Sequence, residues 1–419
     1  MAVDVARYPE PQLSPRVKPR RSRPDLAQPV IVSAVRTPIG RFLGGLSELT
    51  APRLGSVAIQ AALQKAGLSS DQVDEVIMGN VLGAGVGQNP ARQATILAGL
   101  DSSTPAMTIN KVCASGLKAI VLASQAIRCG DAEVVVAGGM ESMSKAPYLL
   151  DRARTGYRLG HGQLLDSMIC DGLWDCYYDF HMGNTGELVA ERYRLSRSEQ
   201  DEYAYHSHRK AIEAQKAGRF EAEIVPVEVP GKKEPTRVVS DESPRPDTSP
   251  ETLAKLKPAF VQGGTVTAGN APSVNDGAAA LVVMAESRAQ ELGLKPLARV
   301  LDAFSSGVDP AWVMLTPVPA VRGLLGRNPD WKLNDFDLIE LNEAFSVQAL
   351  AVQKELSLDP ARINVNGGAV ALGHPIGASG ARIVVTLLHA LQARGGGRGL
   401  ATLCLGGGNG VAVAFESVS

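Results

Sequence analysis

The chain repeats itself at a nearly constant offset, and that constrains its fold more than any other feature. Asp74–Asn80 (DEVIMGN) is paralleled by Phe336–Asn342 (FDLIELN), with Asn80 and Asn342 separated by 262 positions. Ala114-Ser115-Gly116 returns as Ala378-Ser379-Gly380, 264 positions on. A three-residue string recurs by chance, but here each copy opens a helix-period run and is followed by an apolar strand, Glu133–Ala137 in one case and Leu400–Leu405 in the other, that ends in glycines. Repetition at this spacing predicts two superposable halves. From Val30 onward apolar strands alternate with amphipathic helices, so each half is expected to be α/β with helices on the sheet faces. In such a duplicated fold the two helix starts face each other across a pseudo-twofold axis. That brings Cys113 together with the loop that carries His374.

The segment between the halves has another character. It holds polar helices (Ser196–Gly218), a proline-rich charged stretch (Gly231–Pro258) and glycine-rich turns. It is too long for a connecting loop. The expected division is a tail over 1–28, a first half over 29–145, a capping domain over 146–275 with a return to the first half near 260–290, and a second half over 291–419. The tail has six Lys/Arg against three Asp/Glu, is proline-rich and lacks periodicity, which predicts disorder. Asp4, Glu10 and the prolines also make it a poor organelle transit peptide.

With 419 residues, 45% of them hydrophobic and 20% charged, the chain has material for two or three ordinary cores. A net charge of −1 provides no general positive field for nucleic acid or anionic lipid. No unbroken apolar run approaches the roughly 20 residues that span a bilayer, and no apolar secretory core is evident at the N-terminus. The five cysteines, Cys113, Cys129, Cys170, Cys176 and Cys404, are odd in number and lack CxxC spacing. That argues against a disulfide framework and a structural metal site, and favours a reducing, cytoplasmic setting. The glycines of Gly83–Gly87 read GxGxG, not the GxGxxG of a dinucleotide fold.

Two thiols and one imidazole lie in glycine-rich settings: Cys113 in NKVCASGLKA, His374 in NGGAVALGHPIGASGAR and Cys404 in CLGGGNG. Taken singly, each is more often a core residue or a turn. Cys113 precedes a long helix-period run, where free N–H groups and the helix dipole favour a thiolate. Cys404 ends an apolar strand before Gly406-Gly407-Gly408, a turn whose N–H groups can approach a substrate oxygen. Gly373 and Pro375 restrain the backbone around His374.

Together these strings resemble the thiolase family, and the resemblance runs from about Val30 to Phe415. It implies a duplicated fold, two βαβαβαββ halves forming a five-layered αβαβα core, with an inserted loop domain. It also implies the reaction, in which two acyl-CoA molecules interconvert with a 3-ketoacyl-CoA and CoA. Cys113 is then the acylated nucleophile, His374 takes its proton, and Cys404 is the acid/base acting alpha to the thioester. Asn342, in NEAF, corresponds to an asparagine that holds a water for enolate stabilisation. The N–H groups of Cys113 and Gly406 receive the tetrahedral oxyanion.

His181 and Met182 resemble the HMG motif of the short-chain, acetoacetyl-CoA-forming branch, in which they crowd the acyl end. Thr252, Lys255, Tyr203 and Ser273 match looser positions expected to contact coenzyme A, a substrate and product here and not a resident cofactor. Tyr203 is matched equally well by a helix-packing aromatic. Two departures stand out. Pro272 occupies the place of a pantetheine-binding serine, with Ser273 beside it. Val313-Met314-Leu315-Thr316-Pro317 replaces a glycine-rich MGxGP. The expected partners are acetyl-CoA, acetoacetyl-CoA, CoA and further copies of the chain in a homodimer or homotetramer, with no nucleic acid or membrane. Competing readings are a degradative thiolase of broader chain length, a non-catalytic acyl-CoA binder, and a decarboxylative condensing enzyme. The last uses Cys with two His, or Cys, His and Asn, where this chain offers a second cysteine.

Overall fold

The computed structural model describes residues 4–15, 26–231 and 233–418. The first half runs β1 (Pro29–Arg36), α1 (Ala51–Ala66), β2 (Glu75–Gly79), α2 (Pro90–Leu97), β3 (Ala106–Ile109), α3 (Ser115–Cys129) and β4 (Val134–Ser142). Residues 143–274 then leave the sheet, forming among other elements α4 (Met182–Tyr193) and α5 (Arg197–Lys216), before β5 (Asn275–Ala285) returns to it. The second half runs β6 (Ala298–Gly307), α6 (Pro317–Arg327), β7 (Leu338–Leu341), α7 (Ser346–Leu356), α8 (Ile376–Gln392), β8 (Arg398–Leu405) and β9 (Asn409–Ser417).

The pairing shows the duplication. In the first half the spatial order is β1-β5-β4-β2-β3, with two antiparallel contacts followed by two parallel ones. In the second it is β6-β9-β8-β7, antiparallel, antiparallel and parallel, and a parallel bridge from Ile339 to Ile363 stands where the counterpart of β3 falls. The halves meet through β1 and β6, at Val30↔Arg299 and Ile31↔Ala298, in one ten-stranded sheet. The connection that becomes residues 143–274 in the first half is only Gly406-Gly407-Gly408 in the second.

Strand alternation builds the layers. Val135 and Ala137 of β4 face a buried cluster shared with Leu117 and Ile120 of α3 and with Val384 and Leu388 of α8. Val134 and Val136, one residue out of phase, face α1 and α2. Leu341 and Leu400 likewise pack under α6 and α7. The result is the αβαβα order, with α3 and α8 in the middle. These two helices approach backbone to backbone at the repeated strings. A Cβ on Gly116 would lie 2.7 Å from the Ala381 nitrogen, and one on Gly380 2.4 Å from the Leu117 nitrogen. Side chains larger than hydrogen would force the helix starts apart.

The central position of α3 explains a departure from the expectation about apolar runs. Val112–Cys129 is long and apolar enough to pass for a membrane span, with a mean hydropathy of 1.3. Its composition is that of a helix packed on several faces by protein.

The reading of 1–28 as disordered also needs correction. Residues 4–15 lie against the body: Tyr8 packs edge-on to Tyr178 at 5.2 Å between ring centroids, and the Trp312 indole N–H donates to the Pro9 carbonyl. Proline-rich composition suggested disorder, but prolines also lower the entropy lost when an extended segment docks. Val5, Tyr8 and Leu13 supply the apolar anchors. Residues 1–3 and 16–25, which the same reading covered, lie outside the described residues.

Candidate active site

Cys113 sits on a strained elbow. The residue before it, Val112, has φ 45, a left-handed conformation that costs a β-branched residue on the order of 1–3 kcal/mol. Ser115, from the first repeated string, fastens the turn, accepting from the Lys111 N–H at 2.8 Å and donating to the Val112 carbonyl at 2.7 Å. Asn110 Oδ1 accepts from the Val112 N–H at 2.9 Å. The thiol is therefore held by backbone and not by packing alone.

Its ionisation differs from the expectation. α3 begins at Ser115, with Ala114 as its cap, so Cys113 stands outside the first helical turn. Burial pushes its thiol up to about 12, against weaker opposite pulls from the Gly406 N–H and its own N–H. The resting group is a thiol, because desolvation in its apolar surroundings disfavours the thiolate.

Ser379, from the second repeated string, gives His374 its tautomer. The Ser379 hydroxyl donates to the Pro375 carbonyl at 2.9 Å and lies 2.6 Å from His374 Nδ1. A hydroxyl has one proton; assigned to the Pro375 carbonyl, it makes Nδ1–H the donor in the second bond and leaves Nε2 its lone pair. Nε2 is buried and has no protein partner. Burial, with repulsion from Arg382, lowers the ring to about 3, so it is neutral. The His374 backbone N–H is held by Asn275 Oδ1 at 3.0 Å. The outcome is a fixed neutral base with its acceptor nitrogen free.

Cys404 closes β8 beside these two and is 3% exposed. Its thiol is raised above the usual range, first by burial and then by the nearby Cys113 sulfur. Both side-chain atoms of Asn342, at the end of β7, are buried without a partner. An amide so placed is costly unless a ligand completes it. The preceding half supplies a contrast: Asn80, at the end of β2, donates to Glu141 Oε1 at 2.6 Å.

A cavity of about 300 Å3 brings together Cys113, His374, Cys404 and Gly406. His181, Met182, Ser273, Pro272, Val313 and Met314 also line it. Asn342 is not among the lining residues, although its neighbours Ala344 and Phe345 are. His181 caps α4 through Nδ1, accepting from the Gly183 N–H at 3.1 Å, and its ring stacks on Phe260 at 4.7 Å. Phe260, absent from the sequence-based candidates, thus forms part of the same wall; nothing in its local string marks it.

Three further candidates, besides Asn342, do not reach the cavity. Tyr203 is half-buried and donates to Glu343 Oε1 at 2.9 Å, joining Ser207, Asn364 and the Val370 N–H around that carboxylate. This is the helix-packing alternative, and it braces the short helix Ala369–Leu372 that precedes His374. Thr252 and Lys255 are exposed. The Thr252 hydroxyl is taken up in capping the helix Pro250–Ala254. That helix packs on Gly269, next to cavity-lining Ala268, so both residues stand on the surface outside the cavity wall.

The two perturbed groups predict a specific pH response. Iodoacetamide should modify Cys113 at a rate rising about tenfold per pH unit from 7 to 10, since only the rare thiolate reacts. Peptide mapping with quenched time points measures it. A plateau beginning near pH 6 would mean a preformed thiolate–imidazolium pair and overturn the neutral assignment.

A duplicated α/β body in which two thiols and a neutral imidazole converge on one cavity from both copies is the framework of a thiol-dependent acyltransferase. The chain belongs to the thiolase family: the thiolase N-terminal domain matches residues 29–287 and the C-terminal domain residues 294–417. It is 58% identical over 385 residues to the acetyl-CoA acetyltransferase of Pseudomonas aeruginosa, covering 92% of this chain and 98% of that one. It is 56% identical over 391 residues to an acetyl-CoA acetyltransferase of Escherichia coli, covering 93% and 99%. A crystal structure of the Bacillus anthracis acetyl-CoA acetyltransferase superposes with a TM-score of 0.92 at 45% identity, covering 94% of this chain and 99% of that one.

Proposed function

We propose that the chain is an acetyl-CoA C-acetyltransferase, forming acetoacetyl-CoA and CoA from two acetyl-CoA and running the reverse thiolysis, through an acetyl-Cys113 intermediate. The observation that carries this reading is the convergence of Cys113, His374 and Cys404 on one apolar cavity. The shared name of the relatives supports the same reading.

The resting protonation states are those that thiolysis uses. Cys113 Sγ attacks the 3-keto carbon of acetoacetyl-CoA while its proton passes to His374 Nε2. The oxyanion is met by the N–H groups of Cys113 and Gly406. Cleavage of the Cα–Cβ bond leaves an acetyl group on Cys113 and the enolate of acetyl-CoA, which takes the Cys404 proton. Asn342 and His374 serve the enolate oxygen through a water. The thiol of incoming CoA then gives its proton to the Cys404 thiolate, attacks the acetyl carbon and releases Cys113, which recovers its proton from His374. Condensation is these steps reversed.

His181, Met182 and the Val313–Pro317 segment limit the acyl end, and Ser273 beside Pro272 meets the pantetheine arm. Coenzyme A enters as substrate and leaves as product. Assembly into a homodimer or homotetramer belongs to the same proposal, supported by the exposed apolar side chains Tyr148, Leu150, Leu159 and Leu164. All five cysteines are free, which fits a reducing cytoplasm.

Steady-state thiolysis tests the reading. kcat/KM for acetoacetyl-CoA should exceed that for 3-ketohexadecanoyl-CoA by at least about a hundredfold, and Met182→Ala should narrow the gap for six-carbon substrates by about tenfold. Equal turnover of the long chain would favour the degradative thiolase instead. An unchanged profile in the variant would place the limit at Val313–Pro317.

A further inference from the structure

Two walls of the cavity are fastened from outside by a segment that precedes the family match, which begins at residue 29. On one side, Tyr8 packs edge-on to Tyr178 at 5.2 Å and to Phe180 at 6.2 Å, and those two rings stack on each other at 5.9 Å. Phe180 directly precedes His181 and Met182, which line the cavity. Glu10 pairs with Arg192 of α4, the helix that Met182 opens. On the other side, the Trp312 indole donates to the Pro9 carbonyl, and Trp312 directly precedes Val313 and Met314, which line the facing wall. The Arg192 guanidinium lies 5.3 Å over the Trp312 ring, linking the two sides. Val5, Tyr8 and Leu13 share one apolar cluster with Met182, Phe260, Val313, Met314 and Phe345.

We propose that residues 4–15 are a specificity-setting strap: they tie the His181–Met182 wall to the Val313–Met314 wall and so hold the acyl end of the cavity narrow. The inference rests on the acetyltransferase reading for its substrates but not for its geometry. The strap touches no reacting atom, so its residues are positioning residues. They act by fixing the distance between two walls whose residues make the contact with the acyl chain. The wall segments are irregular where the strap meets them, a two-residue strand (Phe180–His181) running into the first turn of α4 on one side and a six-residue 3-10 segment kinked at Trp312 (Pro310–Leu315) on the other. The strap touches each at its irregular point, Phe180 ahead of α4 and Trp312 in the kink, so an outside tie has leverage over their separation.

The test uses the full-length chain with Tyr8→Ala and Tyr8→Phe, alongside a deletion of residues 2–15. Two ratios are read. The first is kcat/KM for 3-ketohexanoyl-CoA over that for acetoacetyl-CoA. The second is the rate of Cys113 alkylation by N-benzylmaleimide over that by N-ethylmaleimide, which gauges cavity width without turnover. Tyr8→Ala should raise both several-fold and the deletion about tenfold, the scale of one or two methylenes finding room. Tyr8→Phe, which keeps the ring, should leave both where they are. Ratios unchanged in Tyr8→Ala and in a folded deletion chain overturn the strap. Should the deletion chain fail to fold, Tyr8→Ala decides. Absence of acetoacetyl-CoA turnover in the unaltered chain would defeat the functional reading alone, and the maleimide ratio would still judge the strap.

Discussion

Cys113→Ala should abolish turnover in both directions, with a loss in kcat of at least about 10^4, since a nucleophile that forms the covalent intermediate has no substitute in the cavity. The alternatives on the page are poor ones. Cys404 is more deeply buried than Cys113 and its thiol is held higher still. Cys129, Cys170 and Cys176 are exposed, and none of them lines the cavity. Brief incubation of the unaltered chain with acetyl-CoA should add one acetyl group to the peptide containing Cys113, and the variant should take up none. Mass mapping of the label decides. Acetyl on Cys404 or Cys129 would overturn the assignment.

Cys404→Ser should split the two half-reactions. The hydroxyl is slightly smaller than the thiol and holds its proton far more tightly, so the proton exchange alpha to the thioester suffers while acyl transfer to Cys113 proceeds. Overall kcat is expected to fall by about 10^2 to 10^4. Acetylation of Cys113 should persist, whereas exchange of the acetyl-CoA methyl protons with deuterated solvent should drop in step with kcat. Normal exchange in the variant would remove Cys404 from the proton path and leave His374 as the only base. The combination of lost exchange and retained acetylation distinguishes a proton carrier from a residue that merely shapes the cavity, because a misshapen cavity would impair both.

The body of the fold was legible because the chain states it twice. Offsets of 262 and 264 positions required superposable halves, and the strand order of the two halves repeats accordingly. The three reactive groups were legible because each lies in a glycine-rich string whose backbone must come close to something. Ser379 was in view as part of a repeated string, but its function depends on a hydroxyl proton committed to Pro375, which no string displays. Tyr203 was ambiguous for the same reason: an aromatic at helical spacing fits packing and ligand contact alike, and only its bond to Glu343 settles where it points. The ionisation of Cys113 was misjudged because proximity to a helix start is visible in sequence while desolvation is not. Residues 4–15 were misjudged by composition, since proline content does not reveal whether an aromatic such as Tyr8 has a place to dock.

The contrast between Asn80 and Asn342 bears on how many reaction centres a doubled chain can hold. Both end a parallel strand at equivalent places, yet the amide of Asn80 is spent on Glu141, whose carboxylate also accepts from the N–H groups of Val81, Leu82 and Gly377. Gly377 lies in the first turn of α8, three residues after His374. The first copy's would-be centre is therefore plugged by a carboxylate, and the plug reaches across to steady the base of the other. Of the two, only the second copy's asparagine has both its donor and its acceptor open, and only the first copy's sheet gave rise to a cover, where the second makes do with three glycines. Duplication has ended in a division of labour: one twin, turned into scaffolding, under a single site assembled from both.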